Sequence, residues 1–289
     1  MLADALWSET YRLIRNRTVV FLSVFFVPLL FAVGGIAFHV MNKTRGDALA
    51  AQAALPGALP GALGGQPVNL ADAFGLAASH GANGATLVFM LIAAATVYAG
   101  DYRWETWRLI SARNARWRLI LGKIGVMKLA ALAAMAAFLV ASIVFVLVQA
   151  FVSGRALTFD VSETNAGGVT LTALLSYVRI LQYGLAALLA AVISRSLLAA
   201  LFVPWALGFA QSILGGPAMG LLGWGPTMWA PQLLAPGLAY DTLKAVIEGG
   251  TGSPDAAAAM KALASLGLWC VLPTAGALAW FTRQDLSKE

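Results

Sequence analysis

Residues 101–123 read DYRWETWRLISARNARWRLILGK, and they form the one strongly charged stretch of an otherwise apolar chain. An apolar run ends just before this stretch, at Ala99, and another begins just after it, at Ile124. The stretch cannot lie in hydrocarbon, because each Arg or Lys at the bilayer centre costs roughly 2.5–3.5 kcal/mol. We therefore predict a loop between two membrane spans, on the cytoplasmic side because it is basic. It is long enough to contain a short helix that a partner could grip.

The composition is that of a protein built from several membrane spans. The 289 residues are 60% hydrophobic and 11% charged, whereas soluble domains are about 25% charged. Apolar runs close to the roughly 20 residues that cross a bilayer recur along the chain. We therefore predict an all-α, polytopic membrane protein with one transmembrane domain, 1–289. Basic cytoplasmic loops explain the net charge of +6 better than nucleic-acid binding does.

Six apolar runs are predicted to be transmembrane helices: 18–40, 82–99, 124–152, 169–194, 197–214 and 263–282. Residues 1–17 are amphipathic, which favours an interfacial helix over a frayed tail. Residues 100–123 form the cytoplasmic loop, and 41–81 form a long external loop, with some helix expected around 48–54. Residues 215–262 form a re-entrant or external segment, because Gly and Pro interrupt its first half. Such backbone is tolerated at membrane depth only where protein or a water-filled cavity satisfies it.

The distribution of basic residues sets the predicted orientation. Five Lys and Arg residues lie in predicted external segments, and Arg179 lies within a span. The other 13 of the 19 lie in predicted cytoplasmic segments: Arg12, Arg15, Arg17, Arg103, Arg108, Arg113, Arg116, Arg118, Lys123, Lys128, Arg195, Arg283 and Lys288. Because basic residues accumulate in cytoplasmic loops, both termini are predicted to be cytoplasmic.

The chain lacks the motifs of several enzyme classes. It has no G-x-x-x-x-G-K-[ST], since Gly122-Lys123 is followed by Ile124, so it cannot hydrolyse ATP through a P-loop. It has no H-E-x-x-H and no G-x-S-x-G, and two histidines alone make a poor metal site. None of the 13 acidic residues lies deep in a predicted span, unlike those of ion-coupled transporters. We predict no catalytic residue, metal site or cofactor. If the protein moves a substrate uphill, we expect a partner at the cytoplasmic face to supply the energy.

Arg179 is the exception inside a predicted span. Gln182 and Tyr183 follow it at i+3 and i+4, on the same helical face. One interpretation is that Arg179 snorkels to the outer headgroups. The other is that Arg179, Gln182 and Tyr183 line a substrate pathway, where the arginine meets an anionic group of a substrate or lipid. Both interpretations stay open at this point.

The charged loop interleaves aromatic rings with arginines, which suits either headgroup anchoring or docking into a soluble partner. It carries an acidic residue, a threonine, an apolar pair, an arginine and Gly-Lys, at Asp101, Thr106, Leu109-Ile110, Arg116 and Gly122-Lys123. A second motif, F-T-R-Q-D-L, lies near the end of the chain, at 281–286. With the interfacial helix, six spans and broken segment, this set resembles the permease subunits of ABC exporters of the type 2 family. Glu105 stands where that family usually has Gly, and Ala115 where it usually has Ser.

The resemblance implies a permease homodimer bound to two copies of a separately encoded ABC ATPase, which would bind ATP and Mg²⁺. The loop around 102–113 would be the coupling helix, and the export path would lie between the two permease copies. The residues implied in ATPase coupling are Asp101, Tyr102, Arg103, Trp104, Glu105, Thr106, Trp107, Arg108, Arg113 and Arg116. The location would be the bacterial cytoplasmic (inner) membrane, with lipid and an extracytoplasmic accessory protein as further candidate partners. Two alternatives stay open, a membrane anchor or mechanical transmitter without a substrate path and an integral membrane enzyme.

Overall fold

The computed structural model describes residues 2–52, 67–103, 115–162, 165–214, 220–225, 227–249 and 253–284, which are almost entirely helical. The α-helices are numbered α1 (Leu2–Arg15), α2 (Arg17–Val20), α3 (Phe26–Gln52), α4 (Asp72–His80), α5 (Gly84–Arg103), α6 (Arg116–Ser153), α7 (Ala166–Ser194), α8 (Leu197–Leu214), α9 (Trp229–Leu234), α10 (Pro236–Glu248) and α11 (Ala256–Arg283). Two short strands, β1 (Val68–Asn69) and β2 (Leu157–Thr158), pair in parallel.

Within the described residues, five helical segments are long and apolar enough to cross a membrane: Arg17–Arg45, Gly84–Tyr102, Arg116–Ser153, Ala166–Ser194 and Ala256–Arg283. Each overlaps one of the six predicted spans. The remaining predicted span coincides with α8, which is apolar but shorter. Many large apolar side chains on these helices are exposed, an arrangement that suits lipid rather than water. The chain is therefore a multi-pass, almost entirely helical membrane protein.

The first of these segments changes its winding just before Pro28. A π-helical turn, Phe21–Phe25, connects α2 to α3. Pro28 has no backbone N–H to donate to the carbonyl of Val24, and its ring crowds the preceding turn. A wider π-turn accommodates both effects. The segment therefore stays helical through a proline.

The helix at the centre of the bundle is α7. It packs against α4, α5, α6, α8, α10 and α11. Its inward face includes Ala187, Leu188 and Ala191, which are completely buried. Small side chains on this face let neighbouring helices approach closely. At the end of α7, Arg195 adopts a left-handed conformation with φ 55°, and this tight turn leads into α8.

One end of the bundle, the loop end, holds α1, the end of α5 and the start of α6, together with the ends of α7 and α11. The opposite end holds α4, β1 and β2. Asn69 fixes this opposite end, because its side-chain amide donates to the carbonyl of Asp160 at 2.7 Å. Its Oδ1 accepts a hydrogen bond from the Asp160 N–H at 3.0 Å. These bonds tie the chain before α4 to the chain after α6.

The chain before α11 folds as two short helices that pack on α11. Pro236 begins α10 directly after the end of α9. Ser265 Oγ of α11 donates to the carbonyl of Gln232 at 2.6 Å, and Trp269 Nε1 donates to the carbonyl of Leu233 at 2.8 Å. Side chains of α11 thus satisfy carbonyls next to the break between α9 and α10. Broken backbone at membrane depth needs this kind of protein partner.

Close packing joins α1 to α6. A side chain added at Gly122 would meet Ala5 at 3.2 Å, and one added at Gly125 would meet Leu6 at 2.7 Å. The face of α1 that turns toward the protein carries Ala5, Glu9 and Leu13. The other side of α1 exposes Trp7, Tyr11 and Ile14. Exposed aromatic and apolar groups on an amphipathic helix are what such a helix presents to lipid headgroups.

Candidate functional site: the loop end of the bundle

The charged stretch of the sequence is divided between two helices and the connection between them. Asp101, Tyr102 and Arg103 end α5, whereas Arg116 and Lys123 belong to the start of α6. The described residues therefore include both flanks of the connection. The remaining residues implied in coupling lie outside the described residues: Trp104, Glu105, Thr106, Trp107, Arg108 and Arg113.

Four charged side chains meet where α1 packs against the end of α5 and the start of α6. Lys123 Nζ lies 2.6 Å from Asp101 Oδ2 and 3.1 Å from Glu9 Oε1. Arg12 Nη2 lies 2.7 Å from Asp101 Oδ1, and its Nη1 lies 3.2 Å from Glu9 Oε1. Lys123 Nζ also donates to the carbonyl of Val97 at 2.6 Å. We call Glu9, Arg12, Asp101 and Lys123 the loop-end charge cluster.

This cluster is largely enclosed, and its formal charges balance. Asp101 and Lys123 are each 1% exposed, while the side chain of Arg12 is 44% exposed. Two carboxylates face two cations, so neither buried charge is left without compensation. Burial opposes the charged form of Arg12, but hydrogen bonds and charges from Asp101 and Glu9 outweigh it. The pKa of Arg12 is therefore raised above its ordinary value.

A second set of contacts fixes the end of α11 to the same flanks. Arg116 Nη1 donates to the carbonyls of Thr282 at 3.1 Å and Gln284 at 2.6 Å. A cation in this position satisfies carbonyls that the end of a helix leaves unpaired. The hydroxyl of Tyr102 donates to Gln284 Oε1 at 3.1 Å, and Gln284 Nε2 donates to the carbonyl of Val192. The ends of α5, α7 and α11 and the start of α6 are thereby joined.

These contacts make the two flanks of residues 104–114 part of one frame. The loop-end charge cluster connects α1, α5 and α6, and Arg116 with Gln284 adds α7 and α11. Separating one member of a buried ion cluster from the others leaves an uncompensated charge, which is costly. A displacement of the connection would therefore move several helices together. This arrangement suits the transmission of motion.

The sequence alone did not reveal two members of this frame. The sequence pattern gives no role to Glu9, and it identifies Lys123 as a basic motif residue of the loop but not as a buried ion-pair partner. One local signal was present, because Ala5, Glu9 and Leu13 follow each other at i, i+4 and i+8, which places an acid on an otherwise small or apolar face. The lysine that pairs with this acid lies far along the chain, where no local pattern could identify it.

Arg179 lies midway along α7, in the wall of a groove of about 400 Å³. Its guanidinium carbon lies 4.8 Å from the ring centre of Tyr240 and 5.7 Å from that of Tyr183, within the range of cation–π contacts. Gln182 does not line this groove, because its side chain donates to the carbonyl of Leu266 in α11 at 3.1 Å. Of the three residues predicted for a substrate pathway, the structure brings Arg179 and Tyr183 together and turns Gln182 toward α11.

Most hydrogen-bond donors of the Arg179 guanidinium make no hydrogen bond with the described residues. Among the described residues it donates one hydrogen bond, to the carbonyl of Pro236 at 3.2 Å, and no carboxylate lies within 4.0 Å of it. Asp241 lines the same groove. Desolvation by the surrounding protein raises the pKa of Asp241, and the charges of Arg179 and Lys244 act in the opposite direction. The groove thus carries two opposite charges that do not form an ion pair.

Comparisons of this chain with protein-family models, with curated proteins and with solved structures give no match. The function of the chain is therefore inferred from its own motifs, contacts and charges.

Proposed function

We propose that this chain is the transmembrane subunit of an ABC exporter, driven by a separate cytoplasmic ATPase. The loop-end charge cluster carries the proposal, because it fastens both flanks of the charged connection to the helical bundle. Two of the permease-like motif residues, Asp101 and Lys123, belong to this cluster, and a third, Arg116, donates to the carbonyls at the end of α11. A chain without a P-loop whose main polar site anchors a connection is suited to receive motion from a partner.

In this proposal the loop end faces the cytoplasm of a bacterial cell, and both termini lie on that side of the inner membrane. The sixth span is α8, whose 18 residues correspond to a length of about 27 Å. This is close to the roughly 30 Å of a bilayer core, and flanking residues can adapt to the difference. The α9–α10 pair is a re-entrant element that enters from the outside. Two copies of the chain form the export path between them.

Coupling would follow from the rigidity of the frame. Two ATPase subunits that close on ATP would displace residues 104–114, which lie between the two fixed flanks. Because the charge cluster and the contacts of Arg116 connect those flanks to α1, α7 and α11, the displacement would shift these helices as a unit. Rigid-body motion of packed helices is a common route from a small local change to a large one.

A photo-crosslinking amino acid in place of Trp107 is expected to capture an ABC ATPase in intact cells. The proposal places this side chain at the ATPase surface, so irradiation and denaturing purification should yield a covalent adduct whose peptides include a P-loop. The same amino acid in place of Phe159, which is exposed beside β2 at the opposite end, is the matched control. Capture of the ATPase only from position 159, or adducts from position 107 that contain no P-loop protein, would contradict the proposed function.

A further inference from the structure

The groove beside Arg179 is lined by groups of three kinds. Arg179 and Asp241 carry opposite charges, Asn83 is polar, and Trp205 and Phe209 present aromatic rings. Its volume of about 400 Å³ lies within the range of sites that bind small molecules. A site with this lining can take a molecule that has both a charged part and an apolar part.

The charges that line the groove indicate which charged group a ligand should carry. An anion alone would satisfy the free donors of Arg179 but would face the carboxylate of Asp241. A cation alone would have the reverse difficulty with Arg179. A group that contains both an oxyanion and an ammonium complements both residues.

The position of the groove indicates the route by which a ligand reaches it. Arg179 lies midway along α7, one of the helices able to span the membrane. The groove is bordered by Trp205 and Phe209 of α8, both of which are exposed, with their rings stacked at 6.1 Å. A lipid can enter such a groove sideways from the bilayer, with its headgroup near Asn83 at the start of α5. The exposed rings also offer an apolar surface to acyl chains.

We propose that this groove binds a zwitterionic phospholipid with a primary amine, of the phosphatidylethanolamine type. The phosphate accepts hydrogen bonds from Arg179, and the ammonium donates to Asp241. The acyl chains lie along Trp205 and Phe209. Binding of the lipid does not depend on an ATPase, but its assignment as the exported substrate rests on the proposed function.

The test uses the full-length permease purified in detergent without any ATPase, and it measures the thermal unfolding midpoint during titration with lipid. Short-chain phosphatidylethanolamine should raise the midpoint at lower concentration than phosphatidylglycerol or soluble phosphoethanolamine. Arg179→Gln and Asp241→Asn should each weaken the apparent affinity for phosphatidylethanolamine by at least about ten-fold, the effect of losing a charged hydrogen bond. Asp241→Asn should leave phosphatidylglycerol binding intact or stronger, whereas Arg179→Gln should weaken it.

Two exposed residues provide matched controls, Arg45→Gln for the arginine and Glu248→Gln on α10 for the acid. Both controls should bind phosphatidylethanolamine as the unaltered protein does. Equal or tighter binding of phosphatidylglycerol by the unaltered protein would overturn the zwitterion assignment. Equal binding of soluble phosphoethanolamine would overturn the lipid assignment. Unchanged affinity for phosphatidylethanolamine in Asp241→Asn would exclude a contact with the amine, and this holds even if Arg179→Gln fails to fold. None of these outcomes depends on whether an ATPase binds.

Discussion

Replacing Lys123 by Met should lower the thermal unfolding midpoint of the purified protein by on the order of 10 °C. The ammonium of Lys123 contacts both Asp101 and Glu9 in an almost fully enclosed site. Without it, two carboxylates share the single cation of Arg12, and one buried charge is left uncompensated. Breaking a buried pair in this way costs about 3–5 kcal/mol, and each kcal/mol corresponds to about 2–4 °C in a chain of this size. Fluorescence-detected unfolding in detergent measures the shift.

Lys128→Met is the matched control, because Lys128 lies on the same helix but is exposed. It should leave the midpoint within about 2 °C of the original value, as exposed substitutions usually do. The double variant Lys123→Met with Asp101→Asn should recover part of the loss, since Glu9 and Arg12 then remain as a balanced pair. A double variant at least as unstable as the sum of its single variants would show that charge balance does not stabilise the loop end.

Replacing both Trp104 and Trp107 by Ala should abolish the stimulation of the partner ATPase by the permease while leaving membrane insertion intact. Buried tryptophans at an interface commonly contribute 2 kcal/mol or more each, so the affinity between the subunits should fall by about 30-fold or more for each tryptophan removed. This prediction comes from the sequence and the proposed function, since both residues lie outside the described residues. ATP hydrolysis by the reconstituted complex, with binding measured in parallel, provides the readout.

Trp280→Ala is the control for this double variant, because Trp280 is an exposed tryptophan near the loop end of α11. Its removal should leave both ATPase stimulation and subunit affinity unchanged. If the Trp104 and Trp107 variant stimulates the ATPase as well as the original protein does, the connection is not the coupling element. A variant that fails to insert is recognised by its absence from the membrane fraction, and the single variants then decide the question.

The sequence predicts the spanning helices well where they are apolar, and less well where they carry charges. Hydropathy alone locates the core of each long helix, because a run of about 20 apolar residues is stable in few environments other than a membrane. The predicted third span begins at 124, whereas α6 begins at Arg116. The predicted second span ends at 99, whereas α5 continues to Arg103. Both helices extend because tertiary partners compensate the charges of Asp101 and Lys123, and hydropathy counts those charges as fully solvated.

The opposite end of the bundle shows a different limit. Residues 41–81 are predicted as a long external loop with some helix around 48–54, whereas α3 continues without a break to Gln52, and α4 forms between 72 and 80. Alanine-rich sequence favours helix even when it is not required to span a membrane. The pairing of β1 with β2 joins segments that are far apart in the chain, and two-residue strands leave no periodic pattern to detect.

The candidate site also contains residues that the sequence identifies and residues that it does not. Arg179 could be selected from sequence because an arginine within an apolar span is rare. Its ring contact with Tyr240 and its shared groove with Asp241 could not be predicted, since both residues follow the Gly- and Pro-rich part of 215–262 and no local pattern places them beside α7. Gln182 follows Arg179 at the spacing of one helical turn, but residues at this spacing can also face a neighbouring helix. Here the Gln182 side chain contacts α11.

Whether a separate ATPase drives this chain is decided by purifying the tagged chain in mild detergent after co-expression with the products of its neighbouring genes. We expect a P-loop ATPase to co-elute in equal amount, at a mass that corresponds to two copies of each subunit, and to hydrolyse ATP in that complex. Elution of the chain without any ATPase, under conditions in which all the neighbouring products are present and folded, would contradict the account.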